Sequence, residues 1–170
     1  GTGSAKGDWQ RILQGIVLTI RPFKSGAAYK TIWNEEENES PLMTITKDQT
    51  AKLKKTLKDR YGEAVMVDYC MRYGNPSTKS KVQAMVAAGC TKILFCPLYP
   101  QYAGATTATA NDQFFRALME EKWQPATRTL PPYFDDPAYI DALAQSVESA
   151  YAEMEEQPDI LVCSYHGLPF

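Results

Sequence analysis

One imidazole is the sharpest chemical group in this chain. His166 is the sole histidine among 170 residues. Its side chain titrates near neutrality, so it can take up a proton or ligate a metal. It follows the apolar run Asp159–Cys163 and precedes Gly167, which lets the backbone turn sharply. Three other segments carry a similar density of aromatic and turn residues: Tyr69–Pro76, Pro97–Tyr102 and Pro131–Phe134. With Ser164–Pro169 they hold six of the ten tyrosines, enough to suggest a rim of flat faces around one titratable group. A broad, planar, apolar ligand would suit such a rim. The competing reading is that Tyr and Pro gather there as ordinary boundary residues.

The elements that must position these segments follow from periodicity. Ala64–Cys70, Lys92–Cys96, Ala126–Leu130 and Asp159–Cys163 read as strands. One helix is expected before the first of them and three between them. Thr46 is expected to cap the first, with Gln49 completing a capping box, Leu53, Leu57 and Tyr61 as its inner stripe and Gly62 as its stop. Asn75 with Pro76 is expected to open the second, which carries Val82, Met85 and Val86 inward and stops at Gly89. A third spans Asn111–Glu121, with Phe114, Phe115, Leu118 and Met119 as its apolar face. Asp136 with Pro137 opens a fourth, with Ile140, Leu143, Ala144, Val147, Tyr151 and Met154 down one side. Alternating strands and helices imply an α/β fold, a parallel sheet flanked by helices in a Rossmann-like three-layer arrangement. Such sheets bind ligands beyond the carboxyl ends of their strands, where all four aromatic segments fall.

Composition narrows the class. An apolar share of 44% and a charged share of 22% suit one globular domain, expected over residues 9–170. A net charge of −2 gives no electrostatic reason to expect nucleic acid. No apolar run is long enough to span a membrane. Residues 1–8 read as a flexible start or a cloning remnant, with no signal peptide. Cys70, Cys90, Cys96 and Cys163 form no Cys-x-x-Cys pair and read as buried, reduced thiols, which favours the cytoplasm. Trp9, Ile12, Leu13, Ile16, Val17 and Ile20 form a stripe at helical spacing with Arg11, Arg21 and Lys24 beside it. It can pack on its own domain, lie peripherally on the inner face of a membrane, or bury against another copy of the chain.

Three segments carry a family resemblance. Ser164-Tyr165-His166-Gly167-Leu168-Pro169 resembles the ferrochelatase signature of Ser, any residue, His, a small residue, an apolar residue and Pro. Met71-Arg72-Tyr73-Gly74-Asn75-Pro76 is similar to that family's Arg-Tyr-x-x-Pro segment. Leu98-Tyr99-Pro100-Gln101-Tyr102 with Thr106-Thr107 is similar to a third family segment. The three occur in order over residues 9–170. The resemblance implies a chelatase-like fold and one half of a two-domain architecture. It corresponds to the amino-terminal half without its opening strand, the second half and its glutamate lying outside the chain.

What the resemblance implies chemically is insertion of ferrous iron into protoporphyrin IX in heme biosynthesis. No cofactor is expected, iron being a substrate, and this chain alone is expected to be inactive. The macrocycle would bind bent, a distortion of about 1–5 kcal/mol driven by remote contacts. His166 would accept a pyrrole proton, contact the metal, or both. Met71, Arg72, Tyr73, Gln101, Tyr102 and Ser164 are implied as substrate-binding residues, Arg72 pairing with a propionate or an active-site carboxylate. Arg72 tying down its own loop, Tyr73 simply packing and Ser164 merely finishing its strand are the alternatives. Thr106, Thr107 and Thr109 precede a helix and read first as capping residues, second as a propionate site. Two other functions stay open: a cobalt or nickel tetrapyrrole chelatase, a group that commonly uses more than one histidine, and a non-catalytic tetrapyrrole-binding module.

Overall fold

A computed structural model describes residues 30–165, together with residues 26 and 167. The Trp9–Ile20 stripe and the 1–8 start lie outside the described residues. The chain divides into two compact units, Gly1–Tyr69 and Cys70–Phe170.

In the first unit the main element is α1, Pro41–Tyr61. Ser40 caps it, its side chain accepting from the Met43 amide at 3.2 Å, and Pro41 supplies a preset φ for the first turn. This corrects the expected start at Thr46. That residue lies inside the helix, nearly buried, and its hydroxyl donates to the Leu42 carbonyl at 2.7 Å. A Ser followed by Pro is the stronger opening signal, because proline fits the first turn without losing a hydrogen bond. Gly62 ends the helix as expected, with φ +62. Leu53 and Tyr61 are exposed rather than inward, so that stripe is corrected too. Before the helix, Asn34 and Glu39 exchange backbone hydrogen bonds of 2.9 and 3.2 Å across a turn. Glu39 then pairs with Lys47, which holds the carboxyl below its ordinary range.

The second unit holds α2 (Thr78–Ala87), β1 (Lys92–Phe95), α3 (Thr109–Met119), β2 (Ala126–Thr129) and α4 (Pro137–Ala152). The two strands pair in parallel, Lys92 opposite Ala126 through Phe95 opposite Thr129. This is the expected α/β pattern of helices flanking a parallel sheet. Two of the four expected strands form it. Ala64 closes a 3₁₀ turn, Gly62–Ala64, the chain from Val65 to Cys70 is irregular, and Asp159–Cys163 is irregular and exposed. Both were apolar enough for strands, but a strand exists only through a ladder, and that pairing is a tertiary choice.

Alternation along β1 sorts its side chains. Ile93 and Phe95 face α2 and α3, while Leu94 on the opposite face is exposed. The core is Val82, Ile93, Phe114, Ala117 and Leu118, with Met85, Val86 and Phe95 packed against it. Phe114 is 1% exposed and stacks on Phe95 at 4.5 Å between ring centres, 7° from parallel. Phe115 and Met119, expected on the same face, are exposed. At α3's helical pitch these two, four residues apart, share a face turned away from the buried line through Ala110, Phe114, Ala117 and Leu118.

The second helix also starts later than expected. Ser77 is the cap, accepting from the Ser80 amide at 3.2 Å, a contribution of about 1 kcal/mol. Asn75 and Pro76 belong instead to the preceding turn, where the Pro76 carbonyl accepts from the Met71 amide at 2.8 Å. The fourth helix opens as expected at Asp136, whose carboxylate accepts from the Ala138 amide at 2.9 Å. Its stripe is not buried: Ile140, Leu143, Ala144 and Met154 are exposed, and Val147 and Tyr151 half-buried. No disulfide joins any of the four cysteines, all of which lie among the described residues. Cys70 and Cys90 are half-buried, but Cys96 and Cys163 are exposed, which corrects the expectation of buried thiols.

Candidate functional site

The turn 71–77 is built by three local features. The Met71 amide bonds to the Pro76 carbonyl, Met71 bridges Ser77, and Gly74 takes φ +78, a region where a Cβ would be strained. This arrangement thrusts Arg72 and Tyr73 outward. The Arg72 guanidinium lies 4.5 Å from the centre of the Tyr73 ring, a cation–π stack. Its Nε donates to Thr109 Oγ1 at 3.1 Å. That bond ties the turn to the beginning of α3, 37 residues further along the chain.

A groove of about 400 Å³ opens beside this stack. Met71, Arg72, Tyr73 and Gly74 form one wall, Ser77 to Lys79 at the start of α2 a second, and Gln113, Arg116, Ala117 and Glu120 of α3 a third. Its size falls within the range of roughly 300–1,000 Å³ typical of small-molecule sites. Three cations, Arg72, Lys79 and Arg116, face one carboxylate, Glu120. Glu120 is paired to Lys79 at 2.5 Å, and the pairing raises the ammonium's pKa. The groove therefore presents net positive charge from its two guanidinium groups.

The segments that follow β1 and β2 lie in the same unit and meet each other. The Leu130 amide continues the ladder to the Phe95 carbonyl at 2.9 Å, and the Tyr133 amide donates to the Pro100 carbonyl at 3.0 Å. Those bonds join the loops that leave β1 and β2 at their carboxyl ends. Tyr133 sets its ring edge-on against Tyr139 at 5.5 Å, and burial pushes its phenol pKa up. The loop after β1 closes on itself through a π-helical turn, Gly104–Ala108. Thr107, nearly buried, donates to the Gln101 carbonyl at 3.3 Å, and Thr106 to the Ala103 carbonyl at 3.5 Å. These hydroxyls point back at carbonyls rather than at helix amides, so capping is corrected to turn closure.

Met71, Arg72 and Tyr73 are thus brought together in the groove. Gln101 and Tyr102 are exposed on the adjoining loop and do not line it. Ser164 stands exposed in the irregular chain after α4, with Tyr165 beside it. His166 lies outside the described residues. Lys79, Gln113, Arg116 and Glu120 were not singled out from the sequence. The signal was present in α3, where Gln113, Arg116, Ala117 and Glu120 recur at helical spacing on one face. Among the described residues no cluster of three His, Cys, Asp or Glu could hold a metal, and no helix is long and apolar enough to cross a membrane.

Fold and groove together define an α/β protein in which one turn and two helices beside a parallel sheet wall a groove. The ferrochelatase family model matches residues 4–170. The chain is 63% identical over 162 residues to a ferrochelatase of Rhodobacter capsulatus and 54% identical over 164 residues to one of Mesorhizobium japonicum. These alignments cover 95% and 96% of this chain, and 46% of each relative. The chain belongs to the ferrochelatase family. It spans about half the length of the curated relatives it matches.

Proposed function

We propose that the protein to which this chain contributes inserts ferrous iron into protoporphyrin IX, forming protoheme and releasing two protons. The observation that carries the reading beyond family membership is the groove. It sets an exposed aromatic face, Tyr73, beside two guanidinium groups, Arg72 and Arg116. A flat macrocycle bearing two carboxylates matches that combination, the ring lying on the aromatic face and a propionate on an arginine. His166 is assigned to take a pyrrole proton or touch the entering metal, which a neutral imidazole can do. Met71 supplies apolar wall, Gln101 and Tyr102 shape the neighbouring loop, and Ser164 supports the histidine segment.

Two measurements test this. A chain extended to its relatives' full length should convert protoporphyrin IX and ferrous iron to protoheme, followed by absorbance under anaerobic conditions. The 170-residue chain should shift the porphyrin spectrum without metallation. Tyr73 is 78% exposed, so Tyr73→Ala should leave thermal stability unchanged while weakening porphyrin binding by about tenfold. Equal affinity in that variant would remove Tyr73 from the site.

The reading also places the protein in the cytoplasm, with the Trp9–Ile20 stripe meeting the inner face of a membrane or a second copy. Flotation with anionic vesicles and size-exclusion mass at several concentrations separate these. A strict monomer that does not float would end both.

A further inference from the structure

Arg72 is held from behind by a residue outside the groove. We infer that Thr109 is the positioning residue that aims Arg72 at a carboxylate of the ligand, an inference that rests on the function proposed above. An arginine side chain is long and flexible, so a guanidinium on a surface turn recognises a carboxylate well only if something fixes its plane. Two contacts do so here. The Tyr73 ring covers one face, but that ring is itself largely exposed and is a movable wall. The firmer contact is the bond from Arg72 Nε to Thr109 Oγ1.

Thr109 is fixed in turn. It is half-buried, and its hydroxyl has two backbone acceptors, the Thr106 carbonyl at 3.0 Å and the Ala105 carbonyl at 3.1 Å. A hydroxyl carries one proton. With that proton directed at the π-helical turn, the lone pairs remain for Arg72, so Thr109 acts toward it as an acceptor of set direction. The turn is anchored by nearly buried Thr107 on the Gln101 carbonyl. The loop after β1 therefore dictates where the guanidinium points.

The geometry also selects a mode of recognition. A guanidinium can meet a carboxylate side-on through Nε and one Nη, or end-on through both Nη groups. Because Nε is engaged by Thr109, the side-on fork is closed and the end-on fork is the one offered to the groove.

The test uses a chain extended to its relatives' full length, carrying Thr109→Val, Thr109→Ser or Arg72→Ala. Protoporphyrin IX and its uncharged dimethyl ester are each titrated by absorbance. Thr109→Val should weaken protoporphyrin IX by about tenfold and leave the dimethyl ester unchanged, and Arg72→Ala should weaken protoporphyrin IX by at least as much and by more than it weakens the dimethyl ester. Thr109→Ser, which keeps the hydroxyl, should restore the native affinity. Thr109→Val that binds like the native protein while Arg72→Ala is weak overturns the inference and leaves the proposed function standing. Equal weakening toward both porphyrins, or no rescue by serine, also overturns it, since either result marks a structural role. If Arg72→Ala fails to separate the two porphyrins, the site reading itself falls.

Discussion

His166→Ala, placed in a chain extended to its relatives' full length, is expected to lose iron insertion by at least about a hundredfold while still binding protoporphyrin IX within a few-fold of the native protein. The reasoning begins with the reaction. Two pyrrole protons must leave as the metal enters, and a positioned base contributes most where the proton moves. The chain offers one imidazole for this. Its described neighbours in the chain, Tyr165 and Gly167, are both exposed. Binding is expected to survive because ring and carboxylate contacts belong to Tyr73 and the groove arginines. Anaerobic single-turnover absorbance separates the two quantities. Near-native turnover in the variant would remove the assignment. Loss of binding together with turnover would move His166 from proton handling to substrate docking.

The second large effect concerns stability. Phe114→Ala should cost about 3–5 kcal/mol, enough to shift or abolish the urea transition of the second unit. Phe114 is the largest fully buried side chain among the described residues, and it touches the sheet through Phe95 and the helix pair through the remainder of the core. That core is small, so little surrounding structure can collapse into the hole. Met119→Ala, five residues along the same helix, should move the midpoint only slightly, because Met119 is 77% exposed. Phe114→Leu provides a graded case should the alanine variant lose its transition. A Phe114→Ala midpoint equal to that of Met119→Ala would contradict the packing described.

These two residues also show what the sequence could and could not disclose. Local chemistry was legible. Gly62 as a helix stop, Asp136 before Pro137 as a start, and Lys92–Phe95 and Ala126–Thr129 as strands all follow from propensity and capping within a few residues. Arg72 and Tyr73 were singled out through motif likeness, and both line one groove. Rival local signals misled: Thr46 with Gln49 mimics a capping box, yet Ser40 with Pro41 lies upstream, and Asn75 with Pro76 competes with Ser77. Pairing and burial were the least legible. Phe114 and Phe115 are chemically identical neighbours, and only the position of β1 decides which is buried. The segment Ala64–Cys70 is rich in valine, but no local rule states whether a ladder will receive it. The Arg72–Thr109 bond spans the whole of α2, β1 and the following loop, beyond the reach of any periodicity.

The parallel pairing of Lys92–Phe95 with Ala126–Thr129 has a kinetic consequence. A hairpin can zip outward from its turn, each rung bringing the next within reach. Here every rung joins residues separated by a whole crossover that contains α3, so the first rung must await closure of that long loop. Winding α3 and seating Phe114 against Phe95 shortens the search by bringing the crossover onto β1. The ribbon at the centre of this unit is then a late product of folding, completed after the helix that covers it.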